Sequence, residues 1–590
     1  MRPYLCLAAA SLALAAPLPA QTQTQTAPDQ DPAIVVQGNL EQKSDWRVAE
    51  TDHVIVYSQG PQGELIKIAH NLERLHFLLS ILLNRVDQVD ETIKLRVTLV
   101  DDAAEFDAMD LRNLRSAQGP FARAFIYQRY YDPREDGAVM ASGRADMPVE
   151  IERSQRIDLA SLGGSQFNAQ TGQVESTLFG ADTMTTSVIA GQKPVIFTGE
   201  GRVYAGFAQH FLLTYFPAAY PRWYLDGFGE LFSTIRIRRE DGAIEYGHMP
   251  EGYRRVIEAF GNVPVKDVIT GRYVDVARQK KWTPFHAWIL THFMLFNEKR
   301  RPQFSLYLRA IGHGATLEQA SAVFGDLGKL EAEVKSYDNR RLMFDRLTYP
   351  ADRAGEPIVS QLNRGQAEFL KGRIELGSRV EIPAGPQPGM DAKAADRAAD
   401  VRRAVLADRD RWLRRLRERA ANYSNNLDAQ VLLAEAECRS GNSAECLAVA
   451  DGALRIDPAD SRALSWKGVA LTQQAVAGPA DQRAEGLRVA RGFIARANHA
   501  DTDSTLPLLA WFRSYSLAGE TPPEVATVGL LKAVDSVPAS TASRLLLGEE
   551  LARTGHGDAA RKILEPVAHG PYDSPERARA VAVLEGLPGK

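Results

Sequence analysis

The side chains best suited to chemistry are His210, Asp226 and Glu230, all within residues 201–234 (GRVYAGFAQHFLLTYFPAAYPRWYLDGFGELFST), with His248 shortly beyond. Imidazoles and carboxylates on two neighbouring helices can hold a divalent cation. A hydrolytic centre of that kind needs three protein ligands, an open position for water and a base for the water's proton. On a helix the economical arrangement is His-Glu-x-x-His, two imidazoles one turn apart with the glutamate as base. None of the 11 histidines begins such a motif. His70 and His76 are six residues apart, as are His286 and His292, which puts the members of each pair on different helix faces. The sequence also lacks Gly-x-Ser-x-Gly, a phosphate-binding Gly-x-x-x-x-Gly-Lys loop and a cysteine placed as a nucleophile.

Two helices must carry these residues. Tyr204–Tyr215 and Leu225–Ile235 have helical patterning, and Pro217 and Pro221 break the chain between them. Upstream, WRVAETDHVIVYS alternates around Val54 and Val56 and reads as a strand. Glu64–Leu83 repeats its leucines with helical period, and Lys94–Val100 is the next strand. Strand, long helix, strand implies a mixed sheet with a helix on one face. Gly137–Met140 and Pro194–Phe197 are further strand candidates, and residues 160–193 have no assigned structure. Phe285–Phe296 (FHAWILTHFMLF) is apolar almost all round and reads as a buried helix. Leu317–Phe324 and Asp326–Tyr337 follow as shorter helices.

Three blocks together resemble the peptidase-MA-like gluzincin domains of bacterial proteins that end in tetratricopeptide repeats. They are TYFPAAYPRWYLDGFGELFST (214–234), the helix 285–296 with Tyr307-Leu308 and Phe324–Leu327, and the strand DHVIVYS (52–58). In that family the third zinc ligand is a glutamate on the second helix. With Tyr215-Phe216 and Pro221-Arg222-Trp223 in register, Ala205 stands at the first histidine position, Gly206 at the glutamate, Gln209 at the second histidine and Asp226 at the third ligand. Sliding the register to use His210 puts Gly206 and Phe207 at the first ligand and the base, which also fails. Alanine and glycine neither bind zinc nor move a proton, so the resemblance implies a peptidase scaffold without peptidase chemistry and without a cofactor. The alternative is an active metal-dependent hydrolase that draws zinc ligands from His210, Asp226, Glu230 or His248. The ordinary reading of His210 is a structural histidine, and of Glu230 a paired acid.

Composition is that of a globular protein, with 45% hydrophobic and 24% charged residues. A net charge of −4 and a pI near 6.3 give no electrostatic reason to expect nucleic acid as a partner. Arg2, the short apolar stretch Leu5–Leu14 and Pro17-Leu18-Pro19-Ala20 read as a signal peptide cleaved before Gln21. No later stretch is apolar and long enough to anchor the chain in a membrane. The expected location is therefore periplasmic or secreted. Cleavage would leave Cys438 and Cys446, flanking a helix–helix turn. An oxidising compartment permits a disulfide between them, and two small buried thiols are the other reading.

The C-terminal third repeats weakly. Leu427–Asp460 fits a 34-residue tetratricopeptide unit, with Leu433 and Ala434 on its first helix, Cys446, Ala450 and Ala453 on the second, and Pro458 at its end. Leu464 and Gly468 restart the pattern, and Leu545, Gly548, Leu551, Gly555, Ala559 and Ala560 carry a more diverged copy. The alternative is a plain array of helical hairpins. Before it lies a helix over Arg397–Asn422, whose many arginines alternate with acids as on a solvated face.

The expectation is thus an α+β chain divided as signal peptide 1–20, flexible leader 21–44, gluzincin-like domain 45–345 (a mixed sheet plus a helical subdomain), connector and Pro/Gly linker 346–395, and an all-α tetratricopeptide-like superhelix over 396–590. Its expected function is non-catalytic: a cleft that binds peptide, and repeats that present a concave surface to a protein partner.

Overall fold

The computed structural model describes residues 42–85, 93–101, 103–109, 111, 129–146, 149–151, 166–167, 174–175, 195–197, 199–238, 241–274, 281–340, 342–350, 353, 355–383, 385–386, 389–571 and 574–588. The stretch expected to be a signal peptide lies outside them. So does the leader, except at its end, where Lys43 and Ser44 already belong to the first strand.

The run expected as one strand makes two, β1 (Lys43–Glu50) and β2 (Val54–Ser58), paired antiparallel with Ala49 opposite Val56. The chain then crosses over through α1 (Gln62–Leu82) to β3 (Leu95–Val100), which lies parallel to β2. After the short α2 (Ala103–Ala108) come β4 (Arg129–Arg134) and β5 (Gly137–Gly143), a hairpin whose β5 runs parallel to β3. Two short two-stranded pairings follow: β6 (Val149–Ile151) with β9 (Val195–Phe197), and β7 (Gln166–Phe167) with β8 (Val174–Glu175).

Next come the two central helices, α3 (Gly199–Tyr215) and α4 (Arg222–Ser233). A three-stranded sheet combines β10 (Arg236–Ile237) and β11 (Ala243–Tyr246) with β12 (Asp345–Thr348). Between β11 and β12 lie α5 (Tyr253–Phe260), α6 (Val265–Ile269), α7 (Pro284–Phe296), α8 (Arg301–Gly312), α9 (Leu317–Ser321) and α10 (Leu327–Asp338). Helix α7 is buried along almost its whole length. It opens with Pro284 behind a capping box made by Thr283 and His286.

The segment expected as a connector is not one. β13 (Ile358–Asn363) pairs with β1 and closes the main sheet, whose order is β13-β1-β2-β3-β5-β4. The sheet therefore runs past residue 345, where the first domain was expected to end. α11 (Arg364–Val380), capped by Asn363 and Gln366, then occupies much of the expected linker. Alternation along the strands gives the sheet two buried faces. Val97, Met140 and Tyr131 pack towards α1 and α3, while Val100, Val139, Ala141 and Tyr130 pack with Phe106 and with Ile374 of α11. Phe369 and Leu376 of the same helix join Trp412, Leu413 and Leu416 of α12 (Ala392–Ala421). Helix α11 is buried on both sides, which a linker would not be.

The rest is helical: α13 (Leu427–Arg439), α14 (Ser443–Ile456), α15 (Ser461–Ala477), α16 (Ala480–Ala500), α17 (Thr505–Ser516), α18 (Glu524–Ser536), α19 (Thr541–Arg553), α20 (Gly557–Ala568) and α21 (Pro575–Gly586). Consecutive helices pack as hairpins, and α15 also touches both α13 and α17, forming one layer. Small residues permit this close stacking. Cys446, Ala450 and Ala453 are fully buried, and a Cβ on Gly468 or Gly548 would overlap Ile494 or Leu564. Cys438 and Cys446 form a disulfide across the α13–α14 turn, with Cα atoms 5.2 Å apart. The chain is thus mixed: a sheet region followed by many helices. No described helix is long and apolar enough to cross a membrane.

Candidate functional site

Helix α3 lies between the sheet and α4, and glycines set both spacings. A Cβ on Gly206 would lie 2.5 Å from Met140 Sδ and 2.9 Å from Arg129 Cδ, so Gly206 faces the sheet. One on Gly229 would lie 2.9 Å from the Ala205 carbonyl and 3.1 Å from Gln209. One on Gly227 would overlap Thr291 and approach the Ala287 carbonyl of α7 to 2.5 Å. Helix α4 is thereby clamped between α3 and α7 at near-backbone contact.

Ala205, Gln209 and Asp226 converge where α3 meets α4. Gln209 Nε2 donates to the Leu225 carbonyl at 3.1 Å and reaches Asp226 Oδ1 at 3.5 Å. Asp226 is buried and held by Arg222, one turn earlier, whose Nε is 3.1 and 3.0 Å from its two oxygens. A guanidinium therefore occupies the carboxylate that would be the third ligand. Its positive charge opposes any cation brought to the same oxygens. Burial, aided by the charge of Asp226, raises the phenol of the neighbouring Tyr273 above its usual range.

The other candidates point elsewhere. His210 is buried towards the sheet, with Nδ1 3.0 Å from the Tyr131 hydroxyl and 3.3 Å from that of Thr214. Burial lowers the imidazole to about 3, so it is neutral. It is a structural histidine. Glu230 is half-buried on α4. Burial raises its carboxyl, Arg129 pulls it down and the Asp226 carboxylate pushes it up again. His248 lies two residues past β11, where Nε2 is 3.0 Å from Glu245 and the ring stacks on Phe344. His286 bonds Thr283 and His292 bonds the Gly247 and Met343 carbonyls, so that pair is no ligand set. Neither is the other: His70 faces Glu356, whereas His76 stacks on His53 at 3.6 Å. Among the described residues no group of three or more His, Cys, Asp or Glu is placed to hold a metal ion.

Sequence reasoning missed the cation in this arrangement. Arg222 stands four residues before Asp226, the spacing of a helical ion pair, and that signal was available. The partners of His210 and Gly206, Tyr131 and Arg129, come from β4 and had no signal near α3.

No family model matches the chain. No curated protein matches it either. A solved structure of a thermophilic TPR protein from Thermus thermophilus is similar at 17% identity, covering 31% of this chain and 94% of that one, with a TM-score of 0.28. A likeness at that level assigns no function.

Proposed function

We propose that this chain is an exported, non-catalytic binding protein, in which a gluzincin-like helix pair serves as scaffold and the helical array serves as a module for protein or peptide. The reading rests chiefly on the Arg222–Asp226 pair. The helix-to-helix space that a hydrolase would give to a metal and its water is filled by a guanidinium, a carboxylate and the Gln209 amide, with Ala205 and Gly229 bringing the two helices close beside them. Such a site is packed for rigidity and has no base for a water proton. Stacked helical hairpins with small residues between them expose extended surfaces suited to another chain. Export accords with the apolar stretch Leu5–Leu14 and with a disulfide between Cys438 and Cys446.

The test is elemental analysis of the chain after equilibration with zinc, together with a peptide-hydrolysis assay. The expected result is less than a tenth of a zinc per chain and no cleavage. One zinc per chain, with cleavage abolished by Asp226→Ala, would overturn the reading.

A further inference from the structure

The loop of the β4–β5 hairpin is two residues long, Glu135 and Asp136, between the paired Arg134 and Gly137. A tight loop bearing two acids belongs in water, because desolvating a carboxylate costs several kcal/mol unless it is paired. Here it is buried, with Glu135 only 6% exposed. Its hosts lie far along the chain. Arg513 of α17 grips the Glu135 carboxylate with both terminal nitrogens, one of them at 3.0 Å from Oε2, and Arg439 of α13 stands 3.5 Å away. The hydroxyl of Thr505, at the start of α17, donates to the Glu135 carbonyl at 2.5 Å. Asp136 pairs with Arg373 of α11, and its carbonyl takes Arg96 Nη1 at 3.2 Å. Burial works to raise both carboxyls, but the surrounding guanidiniums outweigh it and hold each at about 2.

The arrangement has the anatomy of a bound ligand. Side chains from two helices of one layer converge on a single carboxylate, the backbone carbonyl beside it is also recognised, and the pairing is bidentate. It also defines a host that is charged without its guest. Arg96, Arg134, Arg373, Arg439 and Arg513 meet Asp132, Glu135, Asp136 and Glu435 here. Without the loop, two of those four carboxylates go, and three of the five guanidiniums face no counter-charge.

We propose that Arg439 of α13 and Arg513 of α17, with Arg373 of α11 and Arg96 of β3 beside them, form a receptor for a tight turn carrying two adjacent carboxylates, that the chain keeps it filled with its own Glu135–Asp136 loop, and that the protein partner it fits presents such an acidic turn in the loop's place. This rests on the reading of the array as a protein-binding module. It moves that reading from an open concave surface to a guarded one, on which a partner gains access by competition.

The experiment uses the full chain and a fluorescent peptide of residues 129–143. In the variant E135K/D136K the loop is repelled by Arg439, Arg513 and Arg373 while the receptor stays intact. Anisotropy is expected to show the peptide binding this variant at least tenfold more tightly than wild type, and adding R513E is expected to abolish the gain. Equal affinity for wild type and variant, or binding that survives R513E, would overturn the proposal. Should E135K/D136K fail to fold, Glu135→Gln keeps the loop's shape and removes only its charge. Hydrogen exchange is then expected to quicken several-fold at residues 129–143 and 505–513 but not at 222–233, and unchanged exchange at the first two segments would overturn the proposal. Neither measurement depends on zinc or hydrolysis, so failure here leaves the account of α3 and α4 standing.

Discussion

At the scale of single residues, titratable groups of the candidate site are engaged in packing. His210 is the clearest case. Its ring hydrogen-bonds the Tyr131 and Thr214 hydroxyls inside the packing between α3 and the sheet, and burial lowers it from an ordinary 6.5 to about 3. The unfolded chain therefore takes up a proton on this imidazole as pH falls below about 6.5, while the native chain refuses it down to about 3. Stability should fall across that window by about 1.4 kcal/mol per pH unit on account of this group alone, and be unaffected by it above the window. His286 and His292, both lowered to about 4, act in the same direction. Urea denaturation at pH 7, 6, 5 and 4 of wild type and His210→Asn isolates the His210 share. The gap between the two proteins should narrow as pH drops. A constant gap would mean that His210 takes up its proton in the fold at the same pH as in the unfolded chain.

At the scale of elements, close approach of α4 to its neighbours depends on two glycines. Glycine inside a helix costs about 1 kcal/mol relative to alanine. In open surroundings Gly→Ala should therefore stabilise. Gly492 within α16 is such a position, with nothing within 4 Å of an added methyl, and Gly492→Ala should gain about 0.5–1 kcal/mol. Gly227→Ala has the same propensity gain but drives a methyl into Thr291 and the Ala287 carbonyl, so it should lose about 1–3 kcal/mol net. Thermal unfolding of the two variants should shift in opposite directions. The same elements show what sequence could disclose. Periodicity located α1, α3, α4, α7 and the first repeat hairpin within a few residues, because those segments bury one continuous stripe or a whole surface. It failed at α11, which lies among residues read as a connector. Phe369, Ile374 and Leu376 serve two different neighbours there, so no single stripe stands out, and the Gly377–Gly389 stretch drew attention to a break that comes only after Val380. It failed also for the partners of Gly206 and His210, since which strand passes beneath a helix is decided by sheet order and not by local pattern. For the candidate site, the residue identities at Ala205, Gly206, Gln209 and Asp226 were legible. The ion pair that Arg222 makes was overlooked because attention to missing ligands leaves a neighbouring cation unweighed.

At the scale of the whole molecule, the cores of the sheet and of the helical array are joined through α11. Helix α11 covers one face of the sheet with Ile374 and starts the array's interior with Phe369 and Leu376. The β4–β5 loop is buried against α13 and α17, Ile93 N donates to the Ser536 carbonyl of α18 at 3.1 Å, and His313 meets Glu565 of α20. Two domains joined by a flexible linker would unfold in two steps, each with its own midpoint. Shared burial makes either half costly without the other: losing the array would uncover α11 and leave Glu135 without Arg439 and Arg513, and a buried charge stripped of its partner costs about 3–5 kcal/mol. The array and the sheet should therefore unfold in a single transition. In a background with Trp412, Trp466 and Trp511 changed to Phe, used here as the wild-type reference, fluorescence comes from Trp46, Trp223, Trp282 and Trp288 alone, while far-ultraviolet dichroism weights the many helices of the array, so the two signals report different halves of the chain. Their denaturation curves should superimpose in wild type. Arg439→Ala with Arg513→Ala should lower the midpoint of both together, by the amount that two lost partners of one buried carboxylate dictate. Curves that separate in wild type, with the helical signal persisting after the fluorescence has changed, would show that α11 and the acidic loop do not couple the halves.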